Sequence, residues 1–395
     1  MMRRLNRFLI VVYAFWCYLT NYLHRKVNNK EILVIFQQVF GDSIFLVPLL
    51  RGFSDRYPKR LGYKVILVCR PSIKNFLIDV ADLPSDLEIE TVDYSKYLND
   101  YDYFKSITRR YRFSSGISIV PGTSLSAEIF STTLAARKKY GLIPAIKRTH
   151  PRLMVFFQRL AYTNPVVADR DTSTIMQKKK LMKVIGLNDY RATLTRLKSQ
   201  ESLIKGRYCV ICPGTSMPMK KWPIDRFVQI INEIVEKYKM DIYLCGGKGE
   251  EILGEQIIKG TKYPARLHNK IGITTYKEWA SIIQYSSFVL GNDSATVHIG
   301  VGYQKKVLCI NGLYEKGIMY PYQVDELKED ESLPIIVSLK SMPCEYCRTK
   351  GYYAGYGNVA CLKVVKQGRC ALCVEAITVE MVKEKINSLH IGFPS

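Results

Sequence analysis

Short apolar runs alternate with stretches of helical period over most of the chain. Glu31–Phe36 (EILVIF) is the first such run. The segment QQVFGDS follows, and apolar positions then recur at helical spacing over Ile44–Tyr57. This predicts strand, glycine-containing turn and helix. Lys64–Cys69 (KVILVC) comes after the helix breaker Gly62, and further runs lie at Leu87–Val92 and Gly116–Val120. A second alternating block starts at Arg207–Cys212 (RYCVIC). It continues with a helix over Asp225–Tyr238, a strand at Asp241–Cys245, helices near Glu250–Ile258 and Tyr276–Gln284, then Ser287–Leu290, GNDSATVHIGVG and the strand Lys306–Ile310. Alternation of this kind predicts parallel, doubly wound α/β sheets, one per block.

Between the blocks, Arg137–Lys183 is rich in Lys and Arg and contains Pro144, Pro151 and Pro165, so it reads as helices and loops with a basic face. A basic linker near Leu187–Lys205 joins the blocks, and Ile377–Leu389 reads as a final helix. The expected organisation is an amino-terminal helix over 1–29, an α/β domain over 30–190, a second over 205–340, a cysteine-rich subdomain over 341–375, and a helix and tail over 376–395. No internal repeat or low-complexity tract interrupts it.

The first thirty residues differ in character. Phe8–Leu23 reads FLIVVYAFWCYLTNYL, with Arg3, Arg4 and Arg7 before it, Arg25, Lys26 and Lys30 after it, and no acid before Glu31. Sixteen residues at helical rise reach about 24 Å, short of the roughly 30 Å hydrocarbon core. The favoured reading is a helix lying in one leaflet of an anionic membrane; a helix packed on the protein body and a short signal-anchor are the alternatives.

With 395 residues, 47% of them hydrophobic and 24% charged, the chain has enough apolar sequence for two packed domains, and a disordered or collagen-like reading is excluded. Fifty-eight Lys and Arg against 35 Asp and Glu leave a net charge of +23, which favours an anionic partner. A nucleic-acid-binding zinc protein is one reading of that charge, but the aromatic residues form no recognised RNA-binding motif, so no nucleic-acid partner is expected. Of the eleven cysteines, Cys17, Cys69, Cys209, Cys212, Cys245 and Cys309 are scattered, mostly in strand-like runs, and five crowd into Cys344–Cys373. With no cleavable secretory signal in evidence, this suits a reducing compartment.

Four loops follow predicted strands, where open α/β sheets bind ligands. In Gly41-Asp42-Ser43, Asp42 is read either as a helix cap or as a general base. The loop CPGTSMPMKKWP, Cys212–Pro223, offers Thr215, Ser216 and Lys220 to phosphate oxygens, without Walker spacing; the alternative is a turn with solvated lysines. Gly246-Gly247-Lys248-Gly249 precedes Glu250, an acceptor for sugar hydroxyls or simply part of a βα turn. Asp293, Ser294, Ala295, Thr296 and His298 run from a strand into a helix whose amino end can bind a diphosphate, with His298 read alternatively as a core histidine.

Taken together, GDS, PGTSxPxKKWP, GGxGEE and NDSATVH, in this order over about Glu31–Leu313, resemble the bacterial glycosyltransferase family 9, the ADP-heptose:lipopolysaccharide heptosyltransferases. The resemblance implies a GT-B fold, two Rossmann-like domains facing a central cleft. It also implies inverting transfer of a sugar, heptose from ADP-heptose in the leading reading, onto a lipopolysaccharide core or related glycan, without a catalytic metal. On this pattern Asp42 deprotonates the acceptor, Lys220 with Thr215 and Ser216 holds the donor phosphates, Glu250 grips the ribose, and Asp293, Ser294, Ala295 and His298 line the sugar and phosphates. Ala295 stands where glycine is common, which narrows the pocket and keeps another nucleotide sugar, or a protein acceptor, as the alternative. An anionic glycolipid acceptor at the cytoplasmic face of the inner membrane, with the enzyme peripheral or monotopic, fits the basic segments.

Cys344 and Cys347 form one C-x2-C pair, Cys361 follows, and Cys370 and Cys373 form a second pair, a spacing suited to structural zinc or iron; disulfides and free thiols are the alternatives. The family resemblance selects Cys344, Cys347, Cys361 and Cys373 as the metal set and leaves Cys370 spare. It also allows the final helix to pack back on the first domain.

Overall fold

The computed structural model describes residues 2–21, 30–38, 40–144, 152–168, 172–313, 319–327, 333–342 and 367–391. The chain divides into two units, Met1–Thr195 and Arg196–Ser395.

The first unit holds a six-stranded parallel sheet of β1 (Glu31–Ile35), β2 (Lys64–Cys69), β3 (Glu88–Thr91), β4 (Ile117–Val120), β5 (Lys138–Pro144) and β6 (Asn164–Ala168), in the order β3-β2-β1-β4-β5-β6. The chain works outward from β1 in one direction, then restarts at β4 on its other side. That makes the gap beyond the carboxyl ends of β1 and β4 the switch point where doubly wound sheets bind ligands. Central β1 and β2 pair in register from Glu31↔Lys64 to Ile35↔Val68, and their apolar residues are buried because helices cover such sheets on both faces.

Among the described residues, eight helices accompany this sheet: α1 (Met2–Asn21), α2 (Val47–Arg56), α3 (Pro71–Val80), α4 (Tyr94–Tyr97), α5 (Tyr101–Tyr111), α6 (Leu125–Thr133), α7 (Arg152–Ala161) and α8 (Thr174–Ile185). The helix anticipated from Ile44 is divided: Phe40–Leu46 is a 3-10 turn, and α2 starts at Val47 with Pro48 in its first turn, where the missing N–H costs nothing. Strands β5 and β6 correct the reading of 137–183 as helices and loops. The lysine pair Lys138-Lys139 and the prolines masked them, and Pro165 is tolerated because β6 is an edge strand. Helix α1 packs on the unit, with Ile10, Ala14 and Cys17 buried in its core. Arg112 closes the last turn of α1, donating to the Cys17 carbonyl, the Thr20 hydroxyl and Asn21 Oδ1, as a cation at a helix carboxyl end should. Among the described residues no helix is long and apolar enough to cross a membrane.

Between α6 and α7 the core encloses an ionisable group. Glu128 is fully buried, with one carboxylate oxygen 3.5 Å from Gln158 Nε2, and burial pushes its pKa up to about 8. A carboxyl raised above its unfolded value contributes full stability below that value and loses it as pH rises through the folded one. Glu128→Gln is therefore expected to raise the melting temperature of this unit by several degrees at pH 8, a gain on the order of a few kcal/mol, and to change it little at pH 4. Thermal unfolding followed by circular dichroism across that range checks it.

In the second unit β7 (Tyr208–Cys212), β8 (Asp241–Leu244), β9 (Leu267–Asn269), β10 (Val289–Asn292), β11 (Val307–Ile310) and β12 (Ile335–Val337) form a parallel sheet in the order β12-β11-β10-β7-β8-β9, the same winding again. Its switch point lies at β7 and β10. Helices α9 (Ile224–Tyr238), α10 (Glu251–Gly260), α11 (Tyr276–Gln284) and α12 (Ala295–Gly302) connect the strands. The final helix, Val379–Asn387, packs within this unit. Val382 and Ile386 enter the core around α9, and Asn387 Oδ1 accepts from Lys237 Nζ at 2.7 Å and Tyr238 OH at 2.8 Å.

Candidate functional site

In the second unit, the loops leaving β7, β8 and β10 gather most of the residues singled out from the sequence. Asn292, the last residue of β10, holds two of them together: its Nδ2 donates to the Pro213 carbonyl at 2.7 Å and its Oδ1 accepts from the Trp222 amide at 3.1 Å. Thr215 Oγ1 donates to the Asp293 carbonyl at 3.0 Å. The Cys212–Pro223 loop is thereby fixed to the strand end that opens α12.

Lys220 and Asp293 form an ion pair, Nζ to Oδ2 at 2.5 Å, with only 9% and 7% of the residues exposed. Tyr320 OH donates to the other carboxylate oxygen, Oδ1, at 2.5 Å. Burial acts to raise the Asp293 pKa, but the Lys220 ammonium, then His298 and the two hydrogen bonds, outweigh it and hold the carboxyl below its ordinary value. Burial and the nearby Asp293 charge push the Tyr320 hydroxyl well above its usual range, so it remains a donor. His298 Nδ1 meets Tyr322 OH, and its ring stacks 5.9 Å from both Tyr320 and Tyr322. Tyr320 and Tyr322 carry no signal in the sequence: they lie in an irregular segment 27 residues beyond Asp293, and only folding brings them to it.

Ser294 occupies the N-cap of α12 in extended backbone conformation without capping it; its Oγ lies 3.5 Å from Cys212 Sγ, which also receives the Thr296 hydroxyl at 3.1 Å. Ala295 is the first residue of α12. Ser216 is exposed on its loop. The amino end of α12 thus combines backbone N–H groups and the positive end of a helix dipole with a buried lysine, the set of groups that binds phosphate oxygens.

Glu250 completes this group through the absence of side chains. A Cβ on Gly214 would stand 2.2 Å from its carboxylate and one on Gly246 2.8 Å away, while the Gly247 amide donates to Oε2 at 2.9 Å. The two glycines let the Glu250 carboxylate lie against the ends of both β7 and β8, and a side chain at either would displace it.

Asp42 belongs to the first unit, in the 3-10 turn after β1, half-buried. It is not the cap of α2, whose N-cap position is Leu46. Ser43 Oγ bonds the Phe40 carbonyl at 2.6 Å and Thr195 Oγ1 bonds the Ile44 carbonyl at 2.5 Å, bracing the turn on both sides of the aspartate. Buried Lys178 of α8 stands behind it, Nζ 5.8 Å from the Phe45 ring centroid. Burial lowers the Lys178 pKa and the Asp42 carboxylate opposes that shift. Lys178 escaped the sequence reading because it sits in a run of lysines, QKKK, of which it alone is buried.

Of the cysteine cluster, Cys344, Cys347 and Cys361 lie outside the described residues; Cys370 and Cys373 are buried. Among the described residues no three His, Cys, Asp or Glu side chains are grouped to hold a metal ion. The segment bearing Cys370 and Cys373 docks directly beside the phosphate-type loop. The Ala371 amide donates to the Met219 carbonyl at 2.9 Å, and Trp222 Nε1 donates to the Ile377 carbonyl at 2.9 Å.

The model of glycosyltransferase family 9 (heptosyltransferase) matches residues 114–328. Lipooligosaccharide heptosyltransferase 2 of Haemophilus influenzae is 23% identical over 172 residues; the match covers 42% of this chain, which spans about half (49%) of that relative's length. Among solved structures, the glycosyl transferase family 9 protein of Veillonella parvula aligns over 92% of this chain and 98% of its own with a TM-score of 0.67 at 16% identity. Escherichia coli ADP-heptose lipopolysaccharide heptosyltransferase II aligns over 91% and 98%, with a TM-score of 0.62 at 15% identity.

Proposed function

Since the chain belongs to glycosyltransferase family 9, we propose that it is an inverting glycosyltransferase that moves heptose from ADP-heptose onto a lipopolysaccharide core or related surface glycan, acting on an anionic glycolipid at the cytoplasmic face of the bacterial inner membrane. The observation that carries this reading is the buried Lys220–Asp293–Tyr320 group at the amino end of α12, bound to Thr215 at the sheet's switch point. The relatives named for ADP-heptose support the choice of donor.

In the proposed reaction the Asp42 carboxylate takes the proton of the acceptor hydroxyl as its oxygen bonds to the anomeric carbon of the donor sugar. The bond from that carbon to the diphosphate breaks on the opposite side, and its electron pair leaves with ADP. Charge growing on the diphosphate is met by Lys220, the exposed Ser216 hydroxyl and the amides opening α12, while the Thr215 hydroxyl holds their loop to the Asp293 carbonyl. Asp293 holds Lys220 in place through the ion pair, and Tyr320 fixes Asp293 in turn. Glu250 accepts from the ribose hydroxyls, and the Ala295 methyl trims the space for the sugar.

A thermal-shift panel of ADP, GDP, UDP and CMP at fixed salt tests the donor assignment: ADP raises the melting temperature and the others do so less, since ligands that bind the native state stabilise it. Stabilisation by UDP or GDP in its place would reassign the base and sugar; no response to any nucleotide would refute the donor site. Gly214→Ala is expected to displace the Glu250 carboxylate and weaken ADP binding by about tenfold or more, read by titration calorimetry, while the fold is retained.

For the cysteine cluster the reading is structural zinc or iron on Cys344, Cys347, Cys361 and Cys373. Cys373 lies in the short helix Leu372–Glu375 with its thiol buried, which suits one ligand of such a site, and Cys370 just before that helix is the spare thiol. Bound metal would supply no chemistry to the transfer; it would hold this segment against Met219 and so brace the loop of Lys220. Elemental analysis of the purified chain is expected to find metal, lost in Cys347→Ser together with part of the ADP-induced stabilisation.

A further inference from the structure

Over Phe8–Leu19 helix α1 is apolar on every side, yet only one side of it is packed. Ile10, Ala14 and Cys17 are buried against the first unit, and the helix is bonded to it at both ends, Asn6 Nδ2 to the Asn99 carbonyl at 2.9 Å and Asn21 Nδ2 to the Thr133 carbonyl at 3.0 Å. The opposite stripe, Leu5, Phe8, Val12, Phe15 and Leu19 at helical spacing, is exposed, Phe8 by 64% and Leu19 by 53%, with Trp16 beside it at 49%. At helical rise the stripe runs about 21 Å. It continues onto α7, where exposed Phe156 lies 6.0 Å from the Phe15 ring. Continuous exposed apolar surface of this size marks an interaction site.

Charge selects what covers it. Neither α1 nor α7 contains an acidic residue. Arg3 and Arg4 are exposed at the start of the stripe, and exposed Arg152 and Arg159 flank Phe156 on one face of α7. A second copy of the same face would bring these arginines against one another, which opposes self-association.

We infer that the α1–α7 face is a docking surface for an anionic lipid bilayer: the apolar stripe enters the interface parallel to the membrane, and the four arginines bind lipid phosphates. The bonds fixing α1 to the domain mean that docking seats the whole first unit, where a flexible tether would leave it free to tumble. This deepens, and rests on, the proposed placement at the inner membrane, and it is tested apart from transfer because binding is read without turnover.

The test is co-sedimentation of the full chain with phosphatidylcholine vesicles, with and without phosphatidylglycerol. The expected result is binding about tenfold or more tighter to the anionic vesicles, lost in Phe8→Ser/Leu19→Ser and weakened in Arg152→Gln/Arg159→Gln, with ADP-induced thermal stabilisation unchanged in both. Brominated lipid is expected to quench tryptophan emission in the wild type and not in Trp16→Phe. Equal binding to neutral vesicles, or no loss in either double variant, would overturn the inference. A wild-type dimer in solution that becomes monomeric in Phe8→Ser/Leu19→Ser would instead assign the face to a second copy. The arginine pair keeps the test decisive if the apolar variant does not fold, and loss of transfer with vesicle binding intact would count against the catalytic reading alone.

Discussion

Replacing Asp42 with Asn is expected to lower turnover by about 10²–10⁴-fold, the range that a positioned general base contributes, while ADP binds with wild-type affinity. The amide keeps the size of the side chain and its place in the braced 3-10 turn, where Ser43 and Thr195 bond the carbonyls on either side. Nothing in the phosphate group of the second unit is touched. What is lost is the capacity to take a proton, and with it the counter-charge for Lys178. Steady-state kinetics paired with calorimetric ADP binding separates the two effects. A near-normal rate would remove Asp42 from the mechanism, and a matching loss of ADP affinity would make its role structural.

Lys220→Met is expected to have two consequences of different origin. Donor affinity and turnover fall, by about 10²–10³-fold in rate, because the charge that meets the departing diphosphate is gone. Stability falls as well, by roughly 3–5 kcal/mol, because Asp293 is left buried without its cation. The double variant Lys220→Met/Asp293→Asn separates these effects. Removing the stranded carboxylate restores much of the melting temperature, and activity stays lost. A double variant that regained activity along with stability would show that Lys220 acts through folding alone. Coupling between the two sites is expected, since the residues share a contact.

The centres of both sheets were legible because β1, β2, β7 and β11 are runs of apolar residues that a doubly covered sheet requires. The edge strand β3 was legible too, within Leu87–Val92. Four other strands were not: β5 begins with two lysines, β6 carries Pro165 as an edge strand, and β9 and β12 are three residues each, too short for any period to register. The strand-end loops were legible as phosphate and hydroxyl binders, since Gly214, Thr215 and the Asp293–Ala295 run lie together in the chain. Their pairing was not. Lys220 and Asp293 are 73 residues apart, and nothing in either loop announces that one neutralises the other. The same holds for Tyr320 and for the burial of Lys178 and Glu128, which are properties of packing between distant segments. Helix α1 shows both sides of this: its apolar character was plain, but which face packs on the protein depends on Arg112 and Thr133, more than ninety residues on.

Acceptor-dependent transfer from an ADP-sugar is tested by incubating the full chain with ADP-heptose and a heptose-deficient lipopolysaccharide core, then weighing the glycolipid by mass spectrometry. A product heavier by one heptose is expected, formed with ADP release and absent with Asp42→Asn. A folded protein that binds ADP yet leaves the glycolipid unchanged and releases no ADP would contradict it.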